Sequence, residues 1–262
     1  MRVLAIGDVC GQPGVDFLVG RLDGLRRGIQ ADLVVVNGEN TCIRGLSPAH
    51  ADQIFAAGAD VITLGNHAFD NRQILSYLDD CPSIVRPANM PAMRPGNGFC
   101  LLDVLGKRVC VINLIGQVDM DYHAASPFTA VDGILKSVDA DLVVVDFHAS
   151  ATSEKYAMAY HLDGRAAVMW GTHTHVQTAD AKVFKGGMGY ITDLGMTGGL
   201  DSVIGIRPEQ SLAGFLGHLT SRYESAEGDP AIQGAIFDLN DTFKCVAARG
   251  FTMRQGTNFV DI

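Results

Sequence analysis

The chain has 262 residues with 20 Lys and Arg against 29 Asp and Glu, a formal charge of −9 and no basic stripe, which excludes stable binding of a nucleic-acid polymer. Hydrophobic residues make up 47% and charged residues 19%, the balance of a folded soluble enzyme, and no apolar run approaches the ~20 residues needed to cross a membrane. Six cysteines without a C-x-x-C pair, behind an N-terminus that opens on a strand rather than a signal peptide, read as free thiols of a cytoplasmic protein.

Short β-branched runs predict strands at 2–6, 33–36, 61–64, 109–114 and 142–147, each apolar enough to be buried on both faces. Between them, Val15, Leu18, Val19, Leu22 and Leu25 recur at helical spacing over 14–28. Ser47 and Pro48 supply an N-cap and a first-turn proline for a helix to about Ala57, and Asp70 is placed to cap the next helix, to about Leu78. The stretch 117–130, with Asp119, Asp121, Tyr122 and His123, has no regular period and is open between a lid, an interface and a plain loop. Further runs follow at 166–170, 181–184 and 189–191, then a helix after Pro208 and a hairpin from 235–239 to 244–248 across Asn240 and Asp241. Strand and helix alternation thus gives way to adjacent strands. That mixture predicts an α/β fold of two packed mixed sheets flanked by helices, a four-layer α/β/β/α sandwich, in one domain spanning 1–262.

Residues of metal-binding type stand at the carboxyl end of one apolar run after another, where open α/β sheets hold their ligands. The first run ends in Gly7-Asp8, the second in Asn37-Gly38-Glu39-Asn40 and the third in Gly65-Asn66-His67. The run at 142–147 ends in Asp146-Phe147-His148, and the next in Gly171-Thr172-His173-Thr174-His175. Carboxylates and imidazoles at five such places need partners if they are buried. Histidine and carboxylate donors completed by an amide oxygen suit Mn, Fe or Zn rather than thiolate chemistry, and their number implies two ions. His173 and His175 are two apart, so on a strand they would face one side, whereas in a turn they could address different ions. Asp146 either orients His148 or has a solvent or backbone partner. Cys10 reads as a small buried hydrophobe, His50, His123, His161 and His218 as ordinary hydrogen-bonded histidines, and Thr197-Gly198-Gly199-Leu200-Asp201 as a flexible turn rather than a phosphate cradle.

The order of these blocks resembles the calcineurin-like metallophosphoesterase superfamily, with Gly65-Asn66-His67 and Gly171-Thr172-His173-Thr174-His175 as its Gly-Asn-His and Gly-x-His-x-His blocks. The first block departs, since Asp8-Val9-Cys10 stands where the superfamily has Asp-x-His. With Asn37-Gly38-Glu39-Asn40, Asp70 after the Gly-Asn-His block, Asp146-Phe147-His148 followed by 151–155, and the run 171–180, the chain is similar along essentially its whole length to the YmdB-like branch of bacterial phosphodiesterases. Ser150 and Ala68-Phe69 depart from that branch at the rim of the site.

The resemblance implies a metallophosphoesterase with Asp8, Glu39, Asn40 and His175 on one ion and Glu39, Asn66, His148 and His173 on the other. Glu39 bridges and Asn40 takes the part of the missing histidine; the ions are Fe or Mn, with Zn as an alternative. It further implies hydrolysis of cyclic nucleotides, 2′,3′-cyclic with 3′,5′-cyclic left open, by a metal-bridging hydroxide with His67 as general acid. The partner is then a small phosphodiester, with homo-oligomer formation open. Two other readings compete. One is a phosphomonoesterase or nucleotidase on the same metals; the other is a non-catalytic regulatory protein that keeps the fold.

Overall fold

The computed structural model describes residues 1–219 and 222–256, so the predicted single domain 1–262 extends outside the described residues at 220–221 and 257–262. In chain order the first half runs β1 (Arg2–Ile6), β2 (Asp8–Val9), α1 (Gly11–Val19), α2 (Leu22–Gly28), β3 (Leu33–Asn37), α3 (Pro48–Ala56), β4 (Val61–Thr63), α4 (Ile74–Asp80) and β5 (Ile84–Val85). Then follow β6 (Phe99–Val104), β7 (Lys107–Ile115), α5 (Pro127–Ser137), β8 (Leu142–His148), α6 (Thr152–Leu162), β9 (Val168–Thr172), β10 (Lys182–Val183) and β11 (Gly189–Ile191). The last described elements are β12 (Met196–Gly199), α7 (Pro208–Phe215), β13 (Pro230–Leu239) and β14 (Cys245–Arg254).

One sheet has the order β2-β12-β13-β1-β3-β4-β5 with β14 on β13, and the other the order β10-β11-β9-β8-β7-β6. Side chains alternate across each strand, and the alternation builds the layers. Val3, Ala5, Leu33 and Val35 of the first sheet meet Val109, Val111, Val144 and Trp170 of the second in a shared inner core, where Trp170 stacks on Phe237 at 6.1 Å between ring centroids. Leu4, Ile6, Val34 and Val36 face the other way, onto Leu18, Leu22, Ile54 and Leu78 of the helices. In the second sheet Cys110, Ile112, Val145 and Phe147 pack against Val131 of α5 and Met158 and Leu162 of α6. Each such side chain contributes about 1.5–3 kcal/mol on burial, so a one-residue slip of any central strand would exchange two filled layers at once. The architecture is the four-layer α/β/β/α sandwich.

Several local expectations change. The helix expected over 14–28 is two helices, because Gly20 caps α1 through its N–H on Asp16 O and Arg21, at φ −134°, turns the chain before α2. Asp70 does not cap α4, which begins at Ile74 behind Gln73. Asn71 Oδ1 accepts from Gln73 N–H at 3.0 Å and opens the turn before that helix, while the Asp70 carboxylate goes to Arg44 and His67. The stretch 117–130 divides. Its end is the start of α5, with the Ser126 hydroxyl accepting from Thr129 N–H, and its beginning is fastened by the Glu154 carboxylate, which accepts from the N–H groups of Gln117 and Val118. Thr197 to Gly199 is not a turn but part of strand β12, paired with β13 through Thr197 and Ile232.

Candidate metal centre

Strands β1, β3 and β4 are mutually parallel in one sheet, as are β8 and β9 in the other, so their carboxyl ends deliver side chains to a common edge. Asp8 opens β2 directly after β1, Glu39 and Asn40 follow β3, Asn66 and His67 follow β4, His148 ends β8, and His173 and His175 follow β9. Gly65 makes the convergence possible, because a Cβ there would collide with Glu39 Oε2 and His148 Nε2.

The side chains fall into two groups. In the first, His148 Nε2 lies 2.9 Å from Glu39 Oε1, 2.9 Å from Asn66 Oδ1 and 3.0 Å from His173 Nδ1. Ligand atoms of Glu39, His148 and His173 all lie within 4.8 Å of one another, close enough to share one cation. In the second, His175 Nε2 lies 3.0 Å from Asn40 Nδ2 and 3.9 Å from Asp8 Oδ1, so ligation by Asn40 requires its amide turned to present the oxygen. Asn40 Nδ2 also donates to Glu39 Oε1, at 3.4 Å, so Glu39 stands between the groups. The turn after β9 therefore sends its two histidines to different groups, with both residues in the left-handed region at φ 100° and 63°.

Asp8 Oδ1 is fully buried and has no hydrogen-bond partner, although Oδ2 of the same carboxylate accepts from His173 N–H at 3.2 Å. A buried carboxylate oxygen left without a donor is costly, and a cation among these oxygen and imidazole donors removes that cost. The donor set fits divalent ions of the Mn, Fe or Zn type.

Hydrogen bonds behind the groups set the imidazole tautomers. Thr172 Oγ1 donates to Asp146 Oδ1 at 2.7 Å and so must accept from His148 Nδ1, 2.9 Å away, which leaves Nε2 as the ring nitrogen facing the group. Asp146 is itself held by the Thr63 hydroxyl and by Asn37 Nδ2 at 3.2 Å, a buried role in orienting His148 rather than a solvent contact. His175 Nδ1 donates to Ile204 O at 2.8 Å and again leaves Nε2 inward. Cys10 is buried as expected, but its Sγ also lies 3.5 Å from His175 Nδ1.

Burial pushes the Asp8 carboxyl up to about 6 against the pull of His175 and His148. Burial opposes ionisation of Glu39 too, but His148 prevails and holds it at about 2. Burial together with the charge of His148 pushes His173 down to about 3. His148 and His175 move the other way: burial is outweighed by Glu39 in the first case and by Cys10 and Asp8 in the second.

His67 stands beside the groups rather than in them. Its Nδ1 lies 2.9 Å from Asp70 Oδ2, and its Nε2 lies 3.1 Å from Asn66 Nδ2. Arg44 Nε donates to the same Asp70 oxygen at 2.9 Å. Residues to which the sequence assigns no role do much of the positioning: Thr172, Thr63, the Ile204 carbonyl, and the buried pair Lys155 and Asp193. Thr172 lies inside the Gly-Thr-His-Thr-His block, but nothing in spacing marks Asp193. Of the other histidines, His50 meets Cys42 and Gln12, and His161 meets Asp132 and Arg165.

Known proteins resemble the chain over nearly its whole length. Residues 4–249 match the family model described as YmdB-like protein. A 2′,3′-cyclic-nucleotide 2′-phosphodiesterase of Bacillus subtilis is 39% identical over 247 residues, 93% of each chain. The crystal structure of a hypothetical protein from Thermus thermophilus superposes with a TM-score of 0.91 at 39% identity, over 97% of this chain and 99% of that one. A novel phosphatase from Mycoplasma pneumoniae superposes with a TM-score of 0.90 at 33% identity, over 97% of this chain and 93% of that one.

Proposed function

The chain belongs to the YmdB-like protein family, and on that premise we propose that it is a metal-dependent phosphodiesterase acting on cyclic nucleotides, 2′,3′-cyclic with 3′,5′-cyclic left open. The observation that carries the reading is the orphaned, buried Asp8 Oδ1 beside two groups of inward-facing donors. The substrate class follows the Bacillus subtilis relative. Asp8, Glu39, Asn40 and His175 would hold one ion and Glu39, Asn66, His148 and His173 the other, with Fe or Mn preferred to Zn for this mixed oxygen and imidazole set. When bound, the ions would supply Lewis-acid stabilisation of the phosphoryl oxygens and lower the pKa of an attacking water.

The residues of the chain then divide the remaining work. Water attack forms one P–O bond and breaks another, and the departing alkoxide needs a proton. His67 is assigned to give it, while Asp70, on Nδ1, fixes the orientation of the ring. Asn66 joins the two functions, since its amide oxygen faces His148 and its nitrogen faces His67. All six cysteines are free thiols, which supports placing the protein in the cytoplasm. Among the described residues, no helix is long and apolar enough to cross a membrane.

The test is metal analysis after purification without chelator, paired with hydrolysis of 2′,3′- and 3′,5′-cyclic nucleotides and of bis-p-nitrophenyl phosphate against p-nitrophenyl phosphate. Bound transition metal with preference for the diester is expected. Preference for the monoester, or no hydrolysis with Mn²⁺ supplied, would overturn the reading.

A further inference from the structure

We propose that Arg44, with Arg72 and Arg94, forms a subsite at the rim of the metal centre for a second phosphate of the substrate, on the 5′ side of the nucleoside whose cyclic phosphodiester is cut. The inference rests on the activity proposed above. A line of contacts leads outward from the metal groups to the Arg44 guanidinium. Asn66 Oδ1 lies 2.9 Å from His148 Nε2, Asn66 Nδ2 lies 3.1 Å from His67 Nε2, and His67 Nδ1 lies 2.9 Å from Asp70 Oδ2. Arg44 Nε donates to that same carboxylate oxygen at 2.9 Å. The Arg44 side chain is 68% exposed, and among the described residues neither of its terminal nitrogens has a partner. In a cyclic nucleotide the leaving oxygen stays on the ribose. With His67 giving that oxygen its proton, the ribose and its 5′ substituent lie on the side of the centre where Arg44 stands.

The backbone is built to hold Arg44 there. It sits between Ile43 at φ 68° and Gly45 at φ 86°, both left-handed, in a loop closed by Cys42 N–H on Gly45 O at 3.0 Å and Ile43 N–H on Asn40 O at 2.9 Å. A β-branched residue at positive φ is costly, so the shape of this loop is imposed by its surroundings. Gly45 lies directly on the next turn, since a Cβ there would stand 2.7 Å from Asn71 N. Charge identifies the ligand. Residues 41–46, 66–73 and 90–96 carry Arg44, Arg72 and Arg94 against Asp70 alone, in a chain where 29 acidic residues outnumber 20 basic ones. Arg72 and Arg94 are exposed, and among the described residues neither makes an ion pair. The Arg94 guanidinium lies 5.2 Å from the centre of the Phe69 ring, a stacking that fixes its plane and leaves its N–H edges free for phosphate oxygens. Three arginines suit one further phosphate rather than a polymer.

Calorimetric titration of the full chain, supplied with Mn²⁺, tests this without turnover; the ligands are adenosine 3′-monophosphate, adenosine 3′,5′-bisphosphate and a dinucleotide ending in a 3′-phosphate. The bisphosphate should bind about tenfold tighter than the monophosphate, and less so at high salt. The same gain for the dinucleotide extends the subsite to an internucleotide phosphate, whereas a gain for the bisphosphate alone assigns it to a terminal one. Arg44→Met should bring the affinities together, and Arg44→Lys should keep part of the difference. Arg72→Glu, at an exposed position, gives the same reading should Arg44→Met fail to fold. Equal affinities in the wild-type chain, or a difference that survives in the folded variants, overturns the subsite. Rates on adenosine 2′,3′-cyclic monophosphate and its 5′-phosphorylated form separate this from the activity itself. Hydrolysis of neither overturns the activity, while the affinities still decide the subsite. A fall in kcat on both esters alike in Arg44→Met, with their KM ratio unchanged, would make Arg44 a prop for Asp70 and likewise overturn the subsite.

Discussion

Lys155 Nζ lies 2.8 Å from Asp193 Oδ2, with both side chains shut away from solvent. The pair holds the backbone of the turn that bears His173 and His175: Lys155 donates to Thr172 O at 3.0 Å and Asp193 accepts from Thr174 N–H at 3.2 Å. Desolvation of a buried pair roughly cancels its attraction, so its use here is position rather than stability. Lys155→Met leaves Asp193 charged without its cation and should destabilise the fold by about 3–5 kcal/mol. Combining it with Asp193→Leu should restore most of that in a urea melt, yet the folded double variant should bind less metal. Full metal content in the double variant would show that the pair does not position the turn.

The His67 and Asp70 contact predicts a graded series. His67→Ala should lower kcat by about 10²–10⁴-fold, the usual range for a general acid, with metal content unchanged. Asp70→Asn keeps a hydrogen-bond partner for the ring and removes only the charge, so a smaller loss is expected. Unaltered turnover of a cyclic nucleotide by His67→Ala would remove the residue from the chemistry.

Gly65 allows a test that removes no ligand. Because a Cβ would collide with Glu39 Oε2 and His148 Nε2, Gly65→Ala should lower metal occupancy while every proposed donor remains. Asn40→Ala is its complement, since it deletes one donor at the second group and should reduce bound metal toward one ion per chain. Elemental analysis reads both, and two tightly bound ions in Asn40→Ala would break the assignment of that residue.

Much of this arrangement is legible in the sequence because buried parallel strands leave an apolar run that stops abruptly in polar residues, as at Asp8, Glu39 and His148. What is hidden has physical reasons. Helix α6 buries Glu154 and Lys155 on the face where apolar residues would be read, so its period is blurred. Strand β12 contains Gly198 and Gly199, which weaken any strand signal, and it exists through pairing with a distant strand. Asp193 reaches the site from beyond β11, and only the folded chain sets it against Lys155. The separate paths of His173 and His175 depend on two left-handed backbone positions that residue type does not announce.

Protons and metal should compete for the centre, and the sign follows from the shifts. His148 and His175 are raised above the ordinary imidazole value of 6.5, and the Asp8 carboxyl lies at about 6. A cation needs the deprotonated form of each, so at neutral pH it has to displace protons from the two imidazoles. Affinity for Mn²⁺ should therefore rise with pH, first through about pH 6 as Asp8 ionises and then above about pH 6.5 as the imidazoles lose their protons. Calorimetric titration in two buffers of different ionisation enthalpy at about pH 7 measures the proton release directly. Release should fall as the pH is raised, and in His175→Ala it should fall by the share of that imidazole. Binding with no proton release near neutrality, or affinity that weakens between about pH 6 and about pH 8, would contradict the coupling of these carboxylates to His148 and His175.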